Sequence, residues 1–524
     1  MATGAELGYN TNATALQMAN AIFGPGTIVV GASYQGDSRS SAIYSNGNAL
    51  SPGVVPSDTG VILSTGYAAS FTQSNGDPNR STSTSTNTSG INNDALMNAI
   101  AGASTYDASI LNVDFIPTGN VMTMNFVFSS EEFPEYAASQ YNDMLGVWVN
   151  GTHVPISFGT GKTSVGNVNN AGSNLFVNNT GDSFNTEMDG FTLTMSLTIP
   201  VNQGVVNSIR IGIADVSDSN YDSNVLIGAH SVQTNLVAVH DSATGYINSD
   251  THLNVLANDV NHTGGTLTIT QINGVNVVAG QTVVLPSGDS VTLNADGTLT
   301  VHNDADAGPF TFSYTVHSST GINDVGMVTI STVPCFVAGT RVLTPDGPVA
   351  VETLAPGDHV LTNDHGPQPV RWIGRRRIAA NGAFAPIRIR AGTFGDHGAL
   401  MVSPQHRVML TNSHAELLFG AAEVLIAAKD LVDGRSVEVV EGGTVECVHL
   451  LFDRHEVIFS EGLPTESFLP GPQTTGSFEQ DLVAEIAAIF PEIDPMTGAG
   501  YGAAVRRALK SHEARVLMMC ERAA

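Results

Sequence analysis

The sequence predicts a mainly β, multidomain protein, and three observations carry that prediction. Short runs alternate apolar and polar residues, as half-buried strands do. Gly, Asn, Asp and Ser punctuate those runs as turns. At 524 residues the chain is too long for one ordinary core, and its composition changes abruptly near residue 335.

The first part, residues 1–236, reads as a β-sandwich of jelly-roll type. Val121–Phe128, Phe191–Thr198 and Ser208–Ile213 alternate cleanly. Ala13–Ile22 has helical spacing (Leu16, Met18, Ala19, Ile22), with Asn12 as its expected cap. The Ser/Thr run from Ser81 to Ser89 reads as a flexible loop. Residues 237–333 form a second β-unit, an Ig-like sandwich in outline. It is marked by an Asp296-Gly297 hairpin and by the alternating strand Phe310–Val316. Residues 335–470 carry further β-like runs. Beyond them the chain turns helical over 471–524, where Phe478–Phe490 and Gly502–Cys520 each place apolar residues on one face.

Charge separates the parts. The chain has 20 Lys and Arg against 48 Asp and Glu, a net charge of −28. Before Cys335 there are only four basic residues (Arg39, Arg80, Lys162, Arg210), and that stretch carries −21 of the total. So acidic a front half repels nucleic acid and anionic membrane surfaces. It suits divalent cations, calcium above all. Glu131, Glu132, Glu135 and Asp143 lie close together between two strand-like runs. They are the candidate calcium ligands, with a solvated acidic loop as the alternative. No segment approaches the roughly 18–20 apolar residues of a membrane span. The N-terminus lacks a basic start followed by an apolar run, so the expectation is export without a cleaved N-terminal signal to an extracellular or cell-surface location.

All three cysteines (335, 447 and 520) fall in the last part. Cys335 opens the segment Cys335-Phe336-Val337-Ala338-Gly339-Thr340, directly after the Thr/Asn/Gly-rich stretch, and Ser403-Pro404-Gln405-His406 lies downstream. A lone cysteine at a domain boundary, with a histidine to serve it, suits attack on the chain's own backbone. The alternative is an inert buried thiol. Cys447 and His449 could join His406 or His455 in a zinc site, but no ligand spacing supports one, and Cys447 reads better as a strand residue.

These residues resemble the Hint superfamily of Hedgehog autoprocessing domains, inteins and their bacterial relatives. Val349–Leu361 resembles the strand and turn after the Hint nucleophile, and Val448–Phe459 the late strand that carries another histidine in inteins. The resemblance implies an all-β Hint fold with Cys335 as nucleophile, Pro334 as scissile-bond partner, and Ser403, His406 and His455 as helpers. It implies a single-turnover autoproteolytic domain needing no cofactor, with its own N-terminal passenger as substrate. Inteins end in His-Asn, whereas Glu466-Ser467 stands here, and Ser467 cannot cyclise, which argues against full splicing. Ala380 occupies the place of the Hedgehog cholesterol-activating aspartate, which argues against sterol transfer. What remains is cleavage before Cys335, with the thioester passing to water or to a surface or matrix acceptor. The other reading is an adhesin or matrix protein with a chemically silent Hint fold.

Two further resemblances concern the front half. Phe126–Tyr136, with Asp58–Gly66 and Tyr106–Leu111, resembles the bacterial choice-of-anchor L domain, which implies a surface or secreted β-domain. Residues 237–333 resemble the bacterial cadherin-like or VCBS-type module, which implies a spacer.

Overall fold

The computed structural model describes residues 2–81, 83–134, 136, 141–156, 163–165, 167–168, 173–244, 250–303, 310–331, 335–380, 385–469, 490, 501, 504–509, 513–514 and 516–518. The chain divides into two compact units. The first comprises residues 1–241, 252–300 and 310–329, and the second comprises 242–251, 301–309 and 330–524.

The first unit opens with a sandwich of two antiparallel sheets. One runs in the order Gly8–Asn10, Ser41–Ser45, Gly60–Ser64, Ser223–Gly228, Val121–Ser130, Gly190–Thr192, Phe176–Asn178, with Met195–Pro200 also paired to Val121–Ser130. The other contains Thr27–Gln35, Thr105–Pro117, Asn207–Val216 and Met144–Val149 in that order. Phe126, Phe128, Val225 and Ile227 from the first sheet meet Leu111, Val113, Phe115, Ile209 and Ile211 from the second in one core. The alternation in Val121–Phe128 predicts a half-buried strand, yet almost every residue of the strand Val121–Ser130 is buried. Its outer face is covered too, because Val127, Phe191 and Leu226 pack against Tyr44, Val54 and Phe71 in a second apolar layer.

Two local expectations need correction. The first helix is Ala15–Ile22, and Thr14 rather than Asn12 caps it. Thr14 and Gln17 form a reciprocal capping box, which satisfies two orphan helix donors where Asn12 could offer only one acceptor. The run Phe191–Thr198 breaks into two strands at Leu193, whose N–H turns away to the Leu175 carbonyl (2.7 Å).

Further along the first unit, Leu267–Ile272 pairs with Val275–Asn276 and with Phe310–Ser318. The Asp296-Gly297 turn closes through Asn294 N–H to the Thr298 carbonyl (2.8 Å), with Gly297 at a φ of +85°.

The second unit is built of two sheets as well. One runs in the order Trp372–Ala379, Thr444–Leu451, Phe336–Val337, Leu400–Val402, Ile387–Ile389, Val437–Val439. The other includes Arg341–Thr344, Val457–Ser460, Leu463–Glu466, Arg407–Thr411 and Glu423–Ala427. Phe336, Val402, Val408, Ile426, Val448 and Ile458 fill the core between them. Of the tail expected to be helical, Phe478–Ile489 lies outside the described residues. Arg507–Ala508 is a short strand, parallel to Val424–Leu425, and residues 513–514 and 516–518 are helical. Backbone pairing at the exposed edge of Glu423–Ala427 wins over helical spacing there. Among the described residues no helix is long and apolar enough to cross a membrane.

Candidate active site

Cys335 precedes the short strand Phe336–Val337, which lies between two neighbours. Phe336 pairs with Val402 on one side and with Val448 on the other, and Val337 pairs with Cys447. The thiol-bearing residue is therefore held at the start of a central strand, 3% exposed. Ser403, the first residue after its own strand, takes both backbone groups of Cys335. Its Oγ accepts the Cys335 N–H at 2.8 Å, and its N–H donates to the Cys335 carbonyl at 3.0 Å. The Cys335 N–H belongs to the peptide link that precedes it, so Ser403 touches the amide expected to break. Pro334, the other half of that link, lies outside the described residues.

Ser403-Pro404-Gln405-His406 makes a turn, closed by His406 N–H to the Ser403 carbonyl (3.1 Å). The turn drives the His406 imidazole into the core, 2% exposed, against the Phe336 ring at 4.2 Å between centroids. Neither ring nitrogen has a hydrogen-bond partner. Burial pulls its pKa down to about 4; the Glu466 carboxylate opposes that shift, while the neighbouring His449, Arg407 and His455 add to it. At neutral pH His406 is an uncharged imidazole with both a lone pair and a proton unspent.

Behind it sits an ionic cluster. Arg407 donates its backbone N–H to Glu466 Oε1 (2.9 Å) and its guanidinium to Oε2 (3.0 Å). Burial alone would raise the Glu466 carboxyl, but Arg407, the hydrogen bond with His455 and the nearby imidazoles outweigh it and hold the pKa at about 2. His455 uses both nitrogens: Nδ1 accepts the Val505 N–H (3.1 Å) and Nε2 faces the Ser467 carbonyl (3.2 Å). A ring so engaged is fixed in one tautomer, with the proton on Nε2. The structure thus sets Ser403 on the backbone of Cys335 and the His406 ring against the neighbouring Phe336, and ties His455 to Glu466.

The pairing of Cys335 with Cys447 was not foreseen. Their sulfurs pair as a disulfide across 112 residues of chain, with Cα atoms 5.5 Å apart. Cys447 does lie in a strand, as expected, and that strand pairs with Phe336–Val337, next to the candidate nucleophile. In this state the candidate nucleophile is covalently occupied. Glu466 was also missed, having been noticed only as a departure from His-Asn. The sequence signal for each was faint: a second cysteine facing a strand partner, and an acid flanked by no local base.

Of the three described acids expected to bind calcium, two come together. Glu132 and Asp143 meet: Asp143 N–H donates to Glu132 Oε2 (3.1 Å), and Asp143 accepts from Val216 N–H (3.0 Å) and Ser223 Oγ (2.7 Å). Glu131 faces other neighbours, and Glu135 lies outside the described residues. Both Glu131 and Glu132 are 1% exposed, so the solvated-loop alternative fails. Among the described residues no group of three or more His, Cys, Asp or Glu side chains converges as a metal site.

The family model of the Hint domain matches residues 334–472. Residues 334–472 are a Hint domain. The choice-of-anchor L domain matches residues 9–233, and the bacterial Ig domain matches 233–331, in keeping with the Ig-like sandwich expected for the middle module. Solved structures similar to the chain include the gp41-1 intein, at 13% identity over 25% of this chain and 97% of that one, with a TM-score of 0.17. The MchDnaB-1 intein is similar at 18% identity over 25% of this chain and 98% of that one, with a TM-score of 0.18. No curated protein matches the chain.

Proposed function

We propose that the Hint domain cuts its own chain at the Pro334–Cys335 link. The Cys335 thiolate attacks the Pro334 carbonyl carbon, forming the S–C bond of a thioester. The C–N bond breaks, and the nitrogen leaves as the α-amine of Cys335 after gaining a proton. Water, or an amine or thiol acceptor, then attacks the thioester and frees the Cys335 thiol. One observation carries this reading: the Ser403 hydroxyl sits 2.8 Å from the Cys335 nitrogen, the atom that must be protonated. Neutral, unpartnered His406, three residues on, is the proton donor and acceptor of the site. No metal or cofactor takes part.

The disulfide adds a condition. Attack requires reduction of Cys335–Cys447 by an external thiol, which is oxidised as the two cysteines become thiols. An oxidised resting state suits an extracellular or cell-surface place for the passenger, as does the choice-of-anchor L module.

A timed gel with mass spectrometry tests the proposal. Reductant should produce fragments of about 334 and 190 residues from the full chain, and Cys335→Ala should produce none. Cys447→Ala should cleave without added reductant. Uncut wild-type protein after prolonged thiol treatment would leave the Hint fold chemically silent, in an adhesin or matrix role. A mass added to the carboxyl end at Pro334 would identify the acceptor class.

A further inference from the structure

With so few bases available, most buried carboxylates of the first unit are met by neutral donors. The Ser/Thr run expected to be a flexible loop supplies many of them: Thr86 N–H donates to Asp222 (2.7 Å), Thr88 N–H to Asp107 (3.2 Å), and Ser89 N–H and Oγ to Asp37 (3.2 and 2.8 Å). Glu131 is the exception. It is 1% exposed, and neither carboxylate oxygen has a hydrogen-bond partner. Thr84 is near enough to ease its charge, without a hydrogen bond of normal geometry.

Register explains what surrounds it. Gly190 and Ser223 both pair with Ser130, so the next residue, Glu131, lies between Asp189 and Asp222 on the flanking strands. Glu187 is fully buried as well. Its Oε2 accepts the Arg80 N–H (3.1 Å), and its Oε1 has no partner. Asn79, one residue earlier, gives its Nδ2 to Asp189 Oδ1 at 2.7 Å. That bond fixes the amide's orientation, because an ionised carboxylate can only accept. Asn79 Oδ1, on a residue 7% exposed, is left unpartnered.

Three residues thus hold four buried oxygens with no hydrogen-bond partner: Glu131 Oε1 and Oε2, Glu187 Oε1 and Asn79 Oδ1. Burial, followed by the charges of Asp189 and Glu187, pushes the Glu131 carboxyl up to about 9. Unpaired acceptors of this kind are costly. A cation bound by these three residues would supply the partner that they lack. Two carboxylates and an amide carbonyl are hard oxygen donors, which select calcium over zinc, and an irregular, dry site suits calcium better than magnesium, which demands a strict octahedron and keeps its waters.

We propose that Glu131, Glu187 and Asn79 ligate a calcium ion in the first unit, with Asp189 as the positioning residue for the Asn79 amide. The set contains two carboxylates, in keeping with the absence of any three-acid group among the described residues. It shares only Glu131 with the cluster expected from the sequence, and it is independent of backbone cleavage.

The test is calorimetric titration of the EDTA-stripped full chain with CaCl2, alongside thermal unfolding. One saturable site is expected, with a dissociation constant on the order of 10⁻⁴–10⁻³ M. It should raise the unfolding temperature of the first unit, and equal MgCl2 should not. Glu131→Gln and Asn79→Ala should abolish the binding heat, whereas Glu132→Gln should keep it. Glu131→Gln replaces an acid that the calcium-free fold already holds in its neutral form, so its calcium-free unfolding temperature should stay close to that of the wild type, which separates lost binding from lost folding. Asp189→Ala should weaken binding about 10- to 100-fold, and Asp189→Asn should restore most of it. The proposal is overturned by the absence of saturable heat up to about 10 mM calcium, by an equal response to magnesium, or by undiminished binding in Glu131→Gln.

Discussion

Glu131 in the first unit and Glu466 in the second are the same side chain at the same burial, each 1% exposed. Their chemistry is opposite. Glu131 is pushed up to about 9, and Glu466 is held at about 2. Burial acts in the same direction on both. What differs is company: Glu466 has the Arg407 guanidinium at 3.0 Å, while Glu131 has two more acids and no base. Depth sets the stakes for an ionisable group, and its partner decides the outcome.

That contrast can be broken first at Arg407. Arg407→Met strands the Glu466 carboxylate in the core and should destabilise the second unit by about 3 kcal/mol. This is the low end for a broken buried pair, because the guanidinium is partly exposed. Each unit holds one of the two tryptophans, so Trp372 fluorescence in a Trp148→Phe background reports the second unit alone. An unfolding midpoint unchanged by Arg407→Met would show that the pair contributes nothing.

Acidification should then move the two units in opposite directions. In the second unit His406 is held at about 4 and Glu466 at about 2, both below their ordinary values. The unfolded chain binds the proton more readily, so stability falls as pH drops from about 6.5 to 4 through His406, and again from about 4.5 to 2 through Glu466. In the first unit burial raises Asp324 to about 7, Asp259 to about 7 and Asp241 to about 8. There the folded chain binds the proton more readily, so stability is greatest near pH 4 and is lost as pH rises towards 8. Between pH 7 and 5 in EDTA, Trp148 should report a more stable unit and Trp372 a less stable one. Parallel shifts would refute the assignment of charge states.

Two smaller changes sharpen the picture. Tyr314 is fully buried, and its hydroxyl lies 3.1 Å from Asp241 and 3.2 Å from Asp259. Tyr314→Phe should cost about 1–2 kcal/mol, more above pH 7 than at pH 5, because the acids lose a donor when they ionise. Thr14→Ala, which removes a neutral cap from the same unit, should cost about 1 kcal/mol with no pH dependence. Equal pH dependence in the two variants would show that the Tyr314 effect is not electrostatic.

Much of the candidate site was legible. Cys335, Ser403 and His406 could be named because a cysteine at a composition boundary and a Ser-x-x-His turn are local patterns. The strands were legible where side chains alternate, as in Ser208–Ile213. Strand Val121–Ser130 showed the limit, since its second covered face depends on Tyr44, Val54 and Phe71 from elsewhere in the chain. His455 was left open between a core and a catalytic role, because its two hydrogen bonds go to Val505 and Ser467, outside its local segment.

The amino-acid order by itself determined the β class and the succession of modules and singled out Cys335 as the candidate nucleophile, since alternation, turn residues and short motifs act over a few residues. Only the tertiary structure decided that Cys447 pairs with Cys335, that Arg407 meets Glu466, and that Glu131, Glu187 and Asn79 keep buried oxygens without partners. Each of these depends on which groups are brought together from distant parts of the chain. In a low-dielectric interior it is those neighbours that set charge, pairing and reactivity.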